Sequence, residues 1–302
     1  MHVALIGYGE VGRILAEDLR AAGHAVTAFD TKLGTAAGVS MRAHALVHGV
    51  TLAVSHADAV GGAALTVSAV TASQTVLAAD ACAAGLYPGS FFLDFNSASP
   101  RAKIMAAEHV ARGAGRYVEG AVMTAVPPHR VKVPLLVGGP HAQAILPMLT
   151  ELGFSPNIAS GELGLASATK MCRSVLVKGL EAMVIESFVA ARRYGVEEPM
   201  IASLRETFPG VDWEQQAGTF FQRVIKHGRR RAEEMREAAV TVREAGLDPF
   251  SASGAADRQA WVADLADAGL FSKQRRRRVA RPPDWRVEAD RILDHVRSAK
   301  NE

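Results

Sequence analysis

The chain opens with His2-Val3-Ala4-Leu5-Ile6-Gly7-Tyr8-Gly9-Glu10-Val11-Gly12, and the reading of this stretch decides the first half of the fold. Residues 2–6 are a short apolar run of strand type, and a helical pattern over 12–22 follows the glycines. Val11, Leu15 and Leu19 fall on one helical face, and Gly23 stands where a helix closes in a left-handed turn. The same alternation continues outward. Residues 25–29, 63–70, 91–94, 117–122 and 135–137 read as strands, with helical stretches at 73–84, 100–112 and 140–152. Strands alternating with helices imply an α/β unit built on a parallel sheet.

The strand pattern stops after about residue 160. Residues 162–194 form one long helical stretch without proline, ended by Gly195. It is apolar on most sides, so it is expected to be buried between other elements. Helical segments at 197–207, 212–245, 251–268 and 284–299 complete the chain.

Length and composition fit this division. The 302 residues suffice for two domains, and 49% hydrophobic with 22% charged residues is the balance of a globular protein. No apolar run has the length of a membrane span. The N-terminus enters a strand directly, so no signal peptide is expected. The two cysteines, Cys82 and Cys172, form no C-x-x-C pair, which argues against a zinc or disulfide framework and fits a reducing, cytoplasmic setting. Arg275, Arg276, Arg277 and Arg278 contribute four of the charges behind the net +3, leaving the rest of the chain at 3 − 4 = −1. No aromatic residues or nucleic-acid motif accompany the run, so it reads as a solvated loop or subunit contact.

Gly7-Tyr8-Gly9-Glu10-Val11-Gly12 matches G-x-G-x-x-G. The hexamer alone is a weak signal, but here it follows a strand, opens a helix, and precedes Asp30 at the end of the second strand. Gly7 permits the tight turn, Gly9 lets a pyrophosphate approach the backbone, and Gly12 lets helix pack on strand. The helix N-terminus offers unpaired N–H groups to phosphate. Asp30 suits ribose hydroxyls and repels a 2′-phosphate, which favours NAD, while nearby Lys32 softens that repulsion and keeps NADP possible. With Thr31 after Asp30, and Val70, Thr71 and Asn96 after later strands, these residues are the expected cofactor contacts.

Two further segments resemble a known family. Asp94-Phe95-Asn96-Ser97-Ala98-Ser99-Pro100 resembles the D-x-S-T-x-x-P segment of 3-hydroxyacid dehydrogenases. Gly164-Leu165-Ala166-Ser167-Ala168-Thr169-Lys170 resembles the small-residue run before that family's catalytic lysine. The resemblance, to the 3-hydroxyacid and 6-phosphogluconate dehydrogenase superfamily, covers roughly the first 175 residues. It implies a Rossmann-type α/β domain over 1–160 and an all-α substrate and dimerisation domain over 161–302, working as a homodimer. It implies Lys170 as general acid/base and Ser97 as a substrate contact. Ala166, Ala168, Met171 and Cys172 are small or apolar neighbours that would desolvate the ammonium and move its acidity towards the working range.

The departures are informative. The family's asparagines after the lysine are Arg173 and Ser174 here, and its Ser-Gly-Gly loop is Met123-Thr124-Ala125. Met123, Thr124, Arg173 and Ser174 are therefore the further candidate substrate contacts, with Arg173 suited to a carboxylate. Ala121-Val122-Met123 with Val126-Pro127-Pro128, together with Lys170-Met171-Cys172-Arg173-Ser174-Val175 and Lys178-Gly179-Leu180-Glu181-Ala182, resemble a subgroup with a distinct C-terminal domain, some members acting on β-hydroxy amino acids of the phenylserine type. The stretch from His227 to Met235 resembles that subgroup too. Within it His227, Arg230, Arg231 and Glu234 share a helix face, which reads first as solvated.

The expected function is thus NAD(P)-linked hydride transfer to or from a small, carboxylate-bearing 3-hydroxy acid or β-hydroxy amino acid. An imine reductase is the alternative enzyme and Lys170 speaks against it; a catalytically silent dinucleotide sensor would not need Lys170. Ser167-Ala-Thr-Lys170 also fits S-x-x-K, but the companion K-T-G triplet is absent. His44 and His48 are four apart on helical spacing, with no third ligand near them in sequence, so no metal is expected.

Overall fold

The structure, a computed structural model, describes residues 1–271 and 284–298. The Arg275–Arg278 run lies outside the described residues. The chain divides into two compact units, the first ending at Cys172 and the second beginning at Arg173.

The first unit runs β1 (His2–Ile6), α1 (Glu10–Ala21), β2 (Ala25–Phe29), α2 (Gly38–His48), β3 (Thr51–Leu52), α3 (His56–Val60), β4 (Leu65–Ser68), α4 (Thr75–Ala83), β5 (Phe91–Asp94), α5 (Pro100–Arg112), β6 (Arg116–Val122), α6 (Val126–His129), β7 (Pro134–Gly138), α7 (Ala142–Glu151) and β8 (Ser155–Ser160). The eight strands make one sheet in the order β3-β2-β1-β4-β5-β6-β7-β8. All pairings are parallel except β6 with β7, which is antiparallel. Strand order reverses beside β1, where β2 and β4 flank it. Ligands of doubly wound sheets bind at the carboxyl ends of the strands at such a switch point.

Alternation along β1 sorts its side chains onto two cores. Val3 and Leu5 join one buried cluster with Leu15 and Leu19 of α1. Ala4 and Ile6 join the other, with Ala79 and Cys82 of α4 and Ala106 and Val110 of α5. The sheet is therefore apolar on both faces, as parallel sheets are. Ser99 caps α5 by accepting the Ala102 N–H, and Pro100 occupies the first turn, where its missing donor costs nothing.

Helix α8 (Leu165–Tyr194) has 30 residues, about 45 Å at 1.5 Å per residue. It begins in the first unit and ends in the second, where α9 (Glu197–Thr207), α10 (Trp213–Glu244), α11 (Phe250–Asp267) and α12 (Trp285–Ser298) follow. Asp212 caps α10 by accepting the Gln215 N–H at 3.1 Å. The core of this helical unit centres on Trp285, whose ring lies edge-on to Phe188 at 4.9 Å and also meets Phe221. Gly228 lets α10 approach α11 closely, since a Cβ there would lie 2.8 Å from the Gln259 carbonyl oxygen. Among the described residues no helix is long and apolar enough to cross a membrane.

Candidate active site

The glycine loop connects β1 to α1 with the geometry its sequence implies. Gly7 has φ +91, and a Cβ there would come within 2.5 Å of the Ala69 carbonyl oxygen. A Cβ on Gly12 would lie 2.1 Å from the Gly7 carbonyl oxygen. Both positions are closed to any side chain. Gly9 differs: a Cβ there meets nothing within 4 Å, so the glycine keeps open space at the N-cap of α1. That open cradle, at a helix N-terminus whose cap has no side chain, fits a phosphate group. Glu10 and Val11 form the first turn of the helix behind it.

Asp30 follows β2 and faces the loop. Its Oδ2 accepts the Tyr8 N–H at 2.9 Å and its Oδ1 accepts the Lys32 N–H at 2.9 Å. The carboxylate thus holds the second loop residue in place, and Thr31 starts the short helical turn beyond it. Burial pushes the Tyr8 phenol up to about 12, with Arg13 opposing and Glu17 adding to the rise.

Val70 and Thr71 leave β4, and Asn96 leaves β5, side by side. Asn96 Oδ1 accepts the Val70 N–H at 2.7 Å, and Asn96 Nδ2 donates to Ser68 Oγ at 3.0 Å. Asn96 therefore ties the two strand ends together. Below it, Asp94 is fully buried and accepts from Asn96 N–H at 2.8 Å and the Tyr117 hydroxyl at 2.7 Å. Lys103 of α5, also fully buried, pairs with Asp94 at 3.0 Å and donates to the carbonyls of Asp94 and Gly120. Burial, with Asp94 reinforcing it, raises the Tyr117 phenol well above its ordinary range. Lys103 sits on a helix and escaped sequence reasoning, because a lysine there usually reaches water.

Lys170 lies on α8, and its Nζ donates to Ser97 Oγ at 2.6 Å. The start of α8 is fixed by Glu119, a fully buried carboxylate on β6. Glu119 accepts the Gly164 N–H at 2.7 Å and the Ser167 N–H at 2.5 Å, satisfying orphan donors at the helix N-terminus. Gly164, with φ +96, makes the turn into the helix. Glu119 is the second buried charge whose place in the fold the sequence does not announce. Its partners lie 45 and 48 positions away, and nothing local announces them.

Met123 and Thr124 occupy the turn between β6 and α6, where the Met123 N–H bonds the Pro134 carbonyl at 3.0 Å. Arg173 and Ser174 follow Lys170 on α8; Arg173 is exposed and Ser174 is buried.

In the helical unit Lys178 Nζ donates to Ser174 Oγ at 3.3 Å and pairs with Glu234. Burial pulls the Lys178 ammonium below its ordinary value, with Glu234 opposing. Arg231 pairs with the fully buried Glu181, which Arg223 also reaches at 3.4 Å. The face holding Arg231 and Glu234, read from sequence as solvated, is in fact turned inward at these two residues. Their side chains are 13% and 18% exposed because α8 presents opposite charges to them.

Comparison with known proteins identifies the family and the fold. Residues 2–155 match the family described as the NAD binding domain of 6-phosphogluconate dehydrogenase, and residues 191–262 match a domain of unknown function, DUF1932. A conserved hypothetical protein of Sinorhizobium meliloti is 33% identical, with a TM-score of 0.74 over 97% of this chain and 96% of that one. A conserved protein whose structure was described as similar to 3-hydroxyacid dehydrogenases is 28% identical, with a TM-score of 0.68 over 90% of this chain and 100% of that one. The 3-hydroxyisobutyrate dehydrogenase of Mycobacterium tuberculosis, solved with L-serine, is 16% identical, with a TM-score of 0.67 over 96% and 98% of the two chains; that likeness is one of fold. The chain belongs to the family defined by the NAD binding domain of 6-phosphogluconate dehydrogenase. Its helical half carries the DUF1932 domain, which sets it within a particular branch.

Proposed function

We propose that this chain is an NAD(P)-dependent dehydrogenase acting on the hydroxyl of a 3-hydroxy acid or β-hydroxy amino acid, with Lys170 as general acid/base. The observation that carries the reading is the hydrogen bond from Lys170 Nζ to Ser97 Oγ, in the same unit as the glycine loop. A bound nicotinamide would supply hydride transfer from the substrate carbon in oxidation, and to it in reduction. The rest falls to the chain. Gly7, Tyr8, Gly9, Glu10, Val11 and Gly12 would hold the pyrophosphate at the start of α1, and Asp30 and Thr31 would hold the adenosine ribose. Val70, Thr71 and Asn96, at the neighbouring strand ends, would contact the rest of the dinucleotide. Lys170, as free amine, takes the proton that the substrate hydroxyl loses; as ammonium it gives the proton back. Ser97 orients the amine and has a hydroxyl to offer the substrate oxygen. Met123, Thr124 and Ser174 shape the substrate's surroundings, and Arg173, one turn beyond Lys170, offers a carboxylate its planar fork.

Asp30 carries a charge that repels a 2′-phosphate, so NAD is the preferred dinucleotide in this reading. The L-serine in the Mycobacterium tuberculosis relative is itself a β-hydroxy amino acid and supports the choice of substrate class. In the same reading the chain works as a homodimer.

The test follows absorbance at 340 nm with 3-hydroxy acids, β-hydroxy amino acids and uncharged alcohols, in both dinucleotides. Turnover confined to carboxylate-bearing substrates is the expected result. Turnover only with imines, or none with any alcohol, contradicts it. Arg173→Lys should raise the Michaelis constant for acidic substrates and leave uncharged ones nearly unaffected.

A further inference from the structure

Three metal-ligating side chains of the first unit converge beside Tyr8 of the glycine loop. Glu17 comes from α1, His44 and His48 from α2, and one ligand atom of each lies within 4.8 Å of the other two. All three are half-buried. The third ligand that the sequence did not place beside the histidine pair is supplied by the fold, from 27 residues away.

We propose that Glu17, His44 and His48 form a binding site for a divalent transition-metal ion of the zinc class, completed by water. The four-residue spacing on α2 puts both imidazoles on one face, and their ring centroids lie 4.4 Å apart. His44 Nε2 is already 2.9 Å from Glu17 Oε1, so a shared cation takes the place of a shared proton. The outer partners are built in as well. His44 Nδ1 lies 2.8 Å from Tyr8 Oη; with Nδ1–H donating there, Nε2 turns its lone pair to the side where Glu17 stands. Glu17 Oε2 accepts from Arg130 Nη2 at 2.7 Å, which fixes the carboxylate and leaves Oε1 to the ion. Arg130 also pairs with Asp18 at 2.7 Å, so Glu17, Asp18 and Arg130 together carry one negative charge. Closing to metal–ligand bonds of about 2.0–2.2 Å falls on rotation of half-buried side chains. Two imidazoles and one carboxylate suit zinc, cobalt or nickel and disfavour calcium and magnesium, which take oxygen.

Such an ion would join α1 to α2 and, through Tyr8, brace the glycine loop. The site stands independently of the reaction proposed above, because it requires neither Lys170 nor any substrate.

The test uses the full chain without an affinity tag, stripped with a chelator and titrated with Zn2+ by calorimetry and with Co2+ by visible absorbance. The expected result is one ion per chain at micromolar or tighter affinity, with a rise in melting temperature at saturation. His48→Gln, a half-buried position with no part in the cofactor loop, should weaken binding at least 100-fold and abolish the melting shift. Tyr8→Phe should weaken it roughly 10- to 100-fold, the usual effect of losing an outer-shell partner. A circular dichroism spectrum of each variant matching the unmodified chain shows that the fold is kept. The absence of stoichiometric binding overturns the proposal. So does binding that survives intact in the His44→Gln/His48→Gln double variant, which would place the ion on other histidines.

Discussion

Lys170 Nζ and Ser97 Oγ meet at 2.6 Å across 73 positions of sequence. The contact depends on two anchors. Ser97 leaves β5 just after Asn96, whose side chain is bound to Val70 and Ser68. Lys170 lies in the early part of α8, whose first N–H groups are held by Glu119. Removing the Glu119 anchor should displace the pair without touching the dinucleotide.

Glu119→Gln tests this. The amide can accept one N–H, but its NH2 then faces the other donor. Turnover should fall about 10- to 100-fold, since roughly 1 Å of misplacement costs on that order. Dinucleotide affinity, measured by fluorescence titration, should stay within a factor of a few. Equal losses in both would mean that Glu119 supports the whole unit.

Asp30→Ala should weaken NAD more than NADP. The ribose hydroxyls lose their acceptor, while a 2′-phosphate loses a repelling charge. Both dinucleotides should share a smaller loss, because Asp30 also accepts the Tyr8 N–H. A titration in which the unmodified chain prefers NADP would transfer the ribose end of the site to Lys32.

Lys103 and Asp94 form a fully buried ion pair, at 1% and 0% side-chain exposure. Breaking it from one side leaves an uncompensated charge beneath the strand ends. Lys103→Met should therefore cost about 3–5 kcal/mol in the urea unfolding of the first unit. Replacing both partners with apolar residues should cost less than the sum of the two single changes. A cost below about 1 kcal/mol for Lys103→Met would show that water reaches the pair.

In the helical unit, Glu214 is held below the ordinary carboxylate range, first by its hydrogen bonds from Arg286. Arg192 lowers Asp290 in the same way. A carboxylate with a lowered folded pKa binds fewer protons folded than unfolded, so its contribution is complete above its unfolded value, near 4.5 for Glu. That contribution is lost as pH falls through the lowered folded value. The melting temperature should hold from pH 7 to about 5 and fall below it. Glu214→Gln should begin lower and fall less steeply. Parallel curves for the two proteins would remove Glu214 from the acid transition.

Much of this was legible in the sequence because period and punctuation agreed. The helices at 197–207 and 212–245 are observed at Glu197–Thr207 and Trp213–Glu244. Two strands were not legible. β3 has only two residues, and β8 carries Pro156 and is mostly exposed, so neither shows an apolar alternation. Helix α2 also went unread, since its apolar residues gather on no clear face. At the site, the glycine loop and Asp30 announce themselves through local backbone demands. Long-range pairs do not. Glu119 under α8, Lys103 under β5, and Glu17 beside His44 are ordinary surface charges until the sheet brings their partners to them.

The most direct test of the account is the turnover and dinucleotide affinity of Lys170→Ala, with the best substrate from the screen. General acid/base catalysis is worth a factor on the order of 100 to 10,000. Turnover should fall by that much while dinucleotide affinity hardly changes, because the glycine loop and Asp30 are left intact. Turnover close to that of the unmodified chain would contradict the account and leave Lys170 as a structural partner of Ser97.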